Sequence, residues 1–239
     1  MNGIYLSVVI PAYNEEKRLP QTLGEVRSYL DSTGYPYEVL IVDDGSTDKT
    51  LEVCREAEAS WAELKIIARA HEGKGASVKQ GCLTAVGEFI LVMDADHATP
   101  IDTLDFMMPV MKNSDMVVGV RTFCGEEGSS GRMRRIVGLA QQLLAHIIVF
   151  QTSVADSQCG YKLFTRKAAH KIFSRLRVKG GMYDCEIFLI AHKHKLRIYS
   201  KPVKWVNKAG STINLIRCII CDPWDLICIR LMDWLGQYN

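Results

Sequence analysis

The chain opens with a near-continuous apolar run, Ile4–Ile10, that meets Pro11. Such a run is what a strand buried on both faces of a parallel sheet requires. Apolar positions at helical spacing follow from Glu16 to Leu30, and the strand–helix alternation then repeats. Glu38–Val42 predicts a second strand, with Ser46 or Thr47 placed to cap a helix running to about Ala59. Leu64–Ala68, Phe89–Met93 and Met116–Val120 predict three further strands, and Lys74–Ala85 a helix. Alternating βα units of this length predict an α/β fold built on a doubly wound, mostly parallel sheet.

The pattern breaks between Arg121 and Arg135 into a stretch rich in Gly, Ser and charge. It is longer than an ordinary connection, and such loops commonly carry function. Beyond it come a helix, the segment Asp156–Thr165, helices near Lys167–Leu176 and Tyr183–His194, and a strand over Arg197–Trp205. Ile136–Ala155 holds no Asp, Glu, Lys or Arg over its 20 positions. Its Gln141, Gln142, His146 and Gln151 would be costly in hydrocarbon, so a buried or interfacial helix is expected. Ile213–Leu235 mixes Leu, Ile and Trp with Arg217, Asp222, Asp225, Arg230 and Asp233, which predicts amphipathic C-terminal helices. Their apolar face suits either a membrane surface or protein, including a sister subunit in a homo-oligomer. The expected organisation is one domain over 1–210 and a helical extension over 211–239.

Composition narrows the class. With 239 residues, 48% apolar and 23% charged, the chain is a packed globular protein, which excludes disorder, collagen and disulfide scaffolds. Its 29 basic and 27 acidic residues leave a formal charge of +2, so no cationic field exists to bind nucleic acid. Eight cysteines without framework spacing suit a reducing, cytoplasmic compartment. The pair Cys218 and Cys221 lacks the second pair of a zinc site. The opening Met-Asn-Gly-Ile-Tyr has no basic flank or cleavage pattern, and no signal peptide is expected.

In open α/β sheets ligands bind beyond the carboxyl ends of the strands. Asp43 and Asp44 follow strand two, where a carboxylate commonly meets a ribose hydroxyl or a base edge. Asp94-Ala95-Asp96 ends strand four, and the two-residue strand period sends both carboxylates to one side. Such a pair can hold a hard divalent cation, which in turn holds a diphosphate. Pro11-Ala12-Tyr13-Asn14-Glu15 follows strand one, with Asn14 a possible helix cap, and Gly73-Lys74-Gly75 opens a helix whose N-terminus suits phosphate. No P-loop and no Gly-x-Gly-x-x-Gly is present, which argues against a P-loop nucleotidase and a dinucleotide-dependent dehydrogenase.

Together these blocks resemble the inverting, nucleotide-sugar glycosyltransferases of the GT-A fold (family 2). The residues that carry the resemblance are Ser7–Glu15, Val42–Asp48, Gly73-Lys74-Gly75 and Asp94-Ala95-Asp96. Asp156–Arg166, Tyr183-Asp184-Cys185-Glu186, Val203-Lys204-Trp205 and Gly210-Ser211 look like the polyprenyl-phosphate branch, dolichyl-phosphate β-glucosyltransferases in particular. The chain departs from that pattern at His97, where the family usually has Gly, and at Gly180-Gly181-Met182.

The resemblance implies a Rossmann-like GT-A sheet, twisted and flanked by helices, and transfer of a hexose, glucose first, from a UDP-sugar to a polyprenyl phosphate. By similarity Pro11, Ala12, Tyr13, Glu15, Asp43, Asp44 and Lys74 would frame the nucleotide. Asp94 and Asp96 would face the diphosphate and a Mg²⁺ or Mn²⁺ ion, with Asp96 the direct ligand. Arg121, Arg132, Arg134 and Arg135 fall where the family places acceptor-phosphate contacts, and guanidinium groups suit phosphate because they bind it bidentately. Asp156, Gln158, Asp184 and Glu186 would line the sugar and acceptor side, and Lys208 would reach the diphosphate. Asp156 and Arg121 join Asp94 and Asp96 as the expected catalytic set. The implied location is the cytosolic face of a membrane, held peripherally. Two alternatives remain open here: another sugar, or a glycan hydroxyl acceptor with Asp184 or Glu186 as base. A non-catalytic nucleotide-sugar-binding module is a more distant one.

Overall fold

The computed structural model describes residues 3–123, 156–206 and 215–239, with position 123 and positions 215–220 described by backbone alone. Within them one sheet is built from β1 (Leu6–Ala12), β2 (Tyr37–Asp43), β3 (Leu64–Ala68), β4 (Phe89–Val92), β5 (Met116–Phe123), β6 (Lys162–Thr165) and β7 (Ile198–Trp205). Their spatial order is β3-β2-β1-β4-β6-β5-β7. Every neighbouring pair is parallel except the two that involve β6, which runs against β4 and β5. The chain lays β2 and β3 on one side of β1 and then returns to place β4 on the other. The switch of direction therefore falls between β1 and β4, and a crevice opens beyond their carboxyl ends.

The helices are α1 (Leu19–Thr33), α2 (Thr50–Ser60), α3 (Lys74–Thr84), α4 (Leu104–Met107), α5 (Arg166–Phe173), α6 (Tyr183–Lys193) and α7 (Leu215–Trp234). They cover both faces, because alternate strand residues point to opposite sides. Val9, Val42 and Val92 join a core with α3, α5, α6 and the apolar side of α7. Val8, Ile10, Ile41 and Leu91 join the other with α1, α2 and α4. α1 buries Leu19, Leu23, Val26 and Leu30 at helical spacing and ends at Gly34, whose φ of 69° gives the left-handed cap. α7 contributes Leu226 and Ile229, and Tyr238 follows them into the same core.

Several boundaries differ from the sequence expectation. Pro11 does not end β1 but stays in it opposite Val42. Val9 accepts from the Met93 amide on the β4 side. Pro11 shares that parity, so its missing N–H points past the end of β4, where no bond is lost. Neither Ser46 nor Thr47 caps α2, and Asn14 does not cap α1. Instead Ser46 Oγ accepts from the Asn14 amide, Asn14 Oδ1 from the Thr47 amide and Thr50 Oγ1 from the Glu15 amide. The cap-forming residues stitch the two loops beyond β1 and β2 together, and both helices start later than the pattern suggests. The segment Asp156–Thr165 holds the antiparallel strand β6, and short turns of helix fill 101–113. The expected helix over 136–155 lies outside the described residues, as do Arg132, Arg134, Arg135 and Lys208.

Candidate active site

Beyond β2 two adjacent carboxylates do different work. Asp44 is fully engaged in shaping a loop. Its oxygens accept from the Gly73 amide at 2.8 Å, the Ser77 hydroxyl at 2.9 Å and the Glu72 amide at 3.2 Å, with the His71 Nδ1 at 2.8 Å. Asp43 is equally buried, but only its Oδ2 is used, at 3.3 Å from the Ser46 amide. Its Oδ1 has no partner among the described residues. A buried acceptor left unpaired costs on the order of 1–3 kcal/mol, so this atom marks a place for a ligand N–H or O–H. Beside it Tyr13 stacks on His71 with ring centroids 4.3 Å apart. His71 was not singled out by sequence, since a lone histidine after a strand carries no spacing signal.

The Asp94-Ala95-Asp96 triplet lies in the turn just past β4 rather than in the strand. The alternation persists there. Ala95 is buried, and its carbonyl accepts from Thr22 Oγ1 at 2.7 Å, while Asp94 and Asp96 stay half-exposed. Lys74, the first residue of α3, reaches Asp94 Oδ1 with its Nζ at 2.5 Å. Burial pushes the Asp94 carboxyl up, but Lys74, Lys162 and Arg121 outweigh it and hold it below the ordinary range. Lys74 responds in kind: burial opposes its charge, while Asp94, Asp184 and Asp96 raise its pKa. Gly160 backs the same carboxylate, and a Cβ there would run into Asp94. Glu15 pairs with Arg18 through two 2.6 Å bonds, and its carboxyl is lifted first by burial and then by Asp96 and Asp94.

These carboxylates fit a hard divalent cation. Asp94 is held ionised, and Asp96 commits Oδ1 to the Ala98 amide at 3.0 Å. Among the described residues no group of three or more His, Cys, Asp or Glu forms a ready-made cage. An ion there would draw its remaining oxygens from a ligand and water, as Mg²⁺ commonly does with phosphates.

On the far side of the crevice Arg121, on β5, forms a bidentate pair with Asp156. Nε lies 2.7 Å from Oδ2 and Nη2 3.0 Å from Oδ1, and the Arg121 amide adds a third bond. The guanidinium sits 5.9 Å from the Trp205 ring centroid. Burial lowers the Arg121 pKa, but Asp156 more than offsets it. The Gln158 backbone N–H donates to Asp156 as well. Lys162, the first residue of β6, is buried with its Nζ 2.8 Å from Asp184 and 2.5 Å from the Cys159 carbonyl. It is a site-shaping residue that sequence reasoning missed; a single cation ahead of Leu163 and Phe164 was its only signal. Glu186 is placed apart from this group. Both oxygens accept backbone amides, from Arg177 and Val178 at 2.7 Å each, and burial raises its pKa.

A mostly parallel sheet whose switch-point crevice gathers carboxylates, a lysine and a clamped guanidinium has the architecture of the GT-A fold. The solved structure of glucosyl-3-phosphoglycerate synthase from Mycobacterium tuberculosis, in complex with Mn²⁺, UDP-glucose and phosphoglyceric acid, superimposes with a TM-score of 0.71. It covers 99% of this chain and 80% of that one at 16% identity, a likeness of fold. The chain belongs to glycosyl transferase family 2, whose model matches residues 7–173. It is 35% identical to a dolichyl-phosphate β-glucosyltransferase of Trichomonas vaginalis over 89% of this chain and 69% of the relative. The dolichyl-phosphate β-glucosyltransferase of Homo sapiens is 33% identical over 98% and 77%, and that of Saccharomyces cerevisiae 32% over 99% and 77%.

Proposed function

We propose that the chain transfers glucose from UDP-glucose to a polyprenyl phosphate of the dolichyl type, with inversion at the anomeric carbon. The observation that carries this reading is the likeness to dolichyl-phosphate β-glucosyltransferases over 89% and 98% of this chain. The crevice supports it residue by residue. Pro11, Ala12, Tyr13 and Glu15 border the nucleotide, and the unpartnered oxygen of Asp43 takes the hydrogen of a base or ribose. Asp94 and Asp96 hold Mg²⁺ or Mn²⁺, which when bound offsets charge on the diphosphate leaving group. Lys74 keeps Asp94 ionised for that task.

The acceptor is an anion already able to attack, so the protein must position it and screen like charges rather than remove a proton. Arg121, pre-aligned by Asp156, is suited to grip a phosphate bidentately. Arg132, Arg134, Arg135 and Lys208 are assigned to the acceptor and diphosphate on sequence alone. A hydroxyl acceptor would need a free base. Asp184 is tied to Lys162 and Glu186 to two amides, which favours the phosphate reading.

No helix among the described residues is long and apolar enough to cross a membrane. α7 nevertheless exposes Trp224, Ile227, Leu231 and Trp234 at helical spacing, with Leu235 beside them. We assign this face to the cytosolic surface of the membrane that carries the acceptor, where Trp and Leu enter the headgroup boundary. The test is a panel of UDP- and GDP-sugars with Mn²⁺, with and without a short polyprenyl phosphate. UDP release from UDP-glucose that depends on the lipid phosphate is expected, whereas turnover with GDP-mannose or with hydroxyl acceptors would replace the donor or acceptor assignment. Vesicle co-sedimentation lost in Trp224→Ser/Trp234→Ser tests the surface, and a concentration-dependent dimer disrupted by the same change would assign the face to a second copy.

A further inference from the structure

Immediately after Asp96 the backbone turns through a left-handed residue that is not glycine. His97 has a φ of 51° and is 6% exposed. A side chain in that conformation costs roughly 1–2 kcal/mol, so something must hold it there. The imidazole Nδ1 lies 2.5 Å from Glu25 Oε2 on α1, and Nε2 accepts from the Ile101 amide at 2.9 Å. Accepting at Nε2 places the ring proton on Nδ1, where it is donated to the carboxylate. The His97 amide in turn donates to the Asp94 carbonyl at 3.1 Å. One buried side chain thus ties α1, the Asp94–Asp96 turn and the start of the next segment into a single unit. Glu25 itself is 43% exposed.

We propose that Glu25 and His97 form a positioning couple that fixes the Asp-x-Asp turn in its ion-binding shape before the donor arrives. The inference rests on the reading of Asp94 and Asp96 as ligands of a divalent ion bound with UDP. The couple touches neither ion nor substrate; it acts by limiting where Asp96 can sit. Partners that orient metal ligands in this way typically contribute 10–100-fold to affinity.

Mn²⁺ binding in the presence of UDP, followed by the loss of the free-ion electron paramagnetic resonance signal, separates this role from a purely structural one. Glu25→Ala is expected to weaken Mn²⁺ binding about tenfold with the melting temperature nearly unchanged. Glu25→Gln, which keeps an acceptor for Nδ1–H, should recover most of that loss. His97→Gly tolerates the left-handed backbone but removes the ring, and should match Glu25→Ala, with the double variant no worse than either. Mn²⁺ affinities equal to wild type, or losses that add in the double variant, would overturn the couple. If the wild-type protein binds no Mn²⁺ with UDP, the metal reading itself fails and the couple with it.

Discussion

Lys74 at the start of α3 and Asp94 past the end of β4 are 20 positions apart in sequence and 2.5 Å apart in space. The contact joins the helix that opens at Gly73 to the turn past the strand on the far side of the switch point, and it does most to hold the first carboxylate in the crevice below its ordinary range. Burial alone would favour the protonated acid. The lysine and its more distant companions reverse that.

It follows that Lys74→Met raises the Asp94 midpoint. Because the native carboxyl titrates below its ordinary range, its ionised form stabilises the fold above the unfolded pKa, and that contribution disappears as pH falls through the native value. In Lys74→Met the window moves to higher pH. A ¹³C-carboxyl titration of Asp94 reads this directly, and an unmoved midpoint would show that Lys162 and Arg121 suffice.

Gly160 is expected to be intolerant of even one methyl group. Its Cβ would displace the Asp94 carboxylate, and misplacement by about 1 Å costs about 100-fold in rate. Gly160→Ala should lower kcat by about that factor with the fold intact by circular dichroism. Gly24, inside α1, has open space around it, so Gly24→Ala should instead gain about 0.5–1 kcal/mol in a denaturant melt.

The strand–helix alternation of the first 120 residues, two-faced burial and the placement of functional blocks at strand ends were legible in the sequence, because apolar runs and helical spacing report burial directly. What was not legible depended on contacts made across the chain. Ser46, Thr47 and Asn14 look like caps locally, yet they bond one another across 32 or 33 positions. β6 is short and antiparallel, and Lys162 at its start breaks the apolar signal that would announce a strand. The partner that neutralises it, Asp184, lies 22 positions away on another element. His97 likewise reads as a polar turn residue until Glu25 is placed beside it.

Lys162→Met leaves Asp184 buried without its cation. Removing one partner of such a pair costs about 3–5 kcal/mol, whereas replacing both is often neutral. Urea melts should therefore show a large loss for Lys162→Met and substantial recovery in Lys162→Met/Asp184→Leu. A small loss in the single variant would mean that water reaches Asp184.

Arg121→Lys retains the charge but not the planar fork. The KM for a short polyprenyl phosphate should rise at least about tenfold while the KM for the nucleotide sugar changes less than about twofold, as steady-state kinetics would report. Equal changes in both would place Arg121 outside the acceptor site.

The most direct measurement is the anomeric configuration of the product formed from UDP-glucose and a short polyprenyl phosphate, read by ¹H and ³¹P NMR. A single displacement by the acceptor phosphate predicts a β-linked glucosyl phosphodiester, formed by the wild-type protein and absent with Asp96→Ala. An α-linked product, or glucose joined to a hydroxyl with the phosphate monoester untouched, would contradict the account.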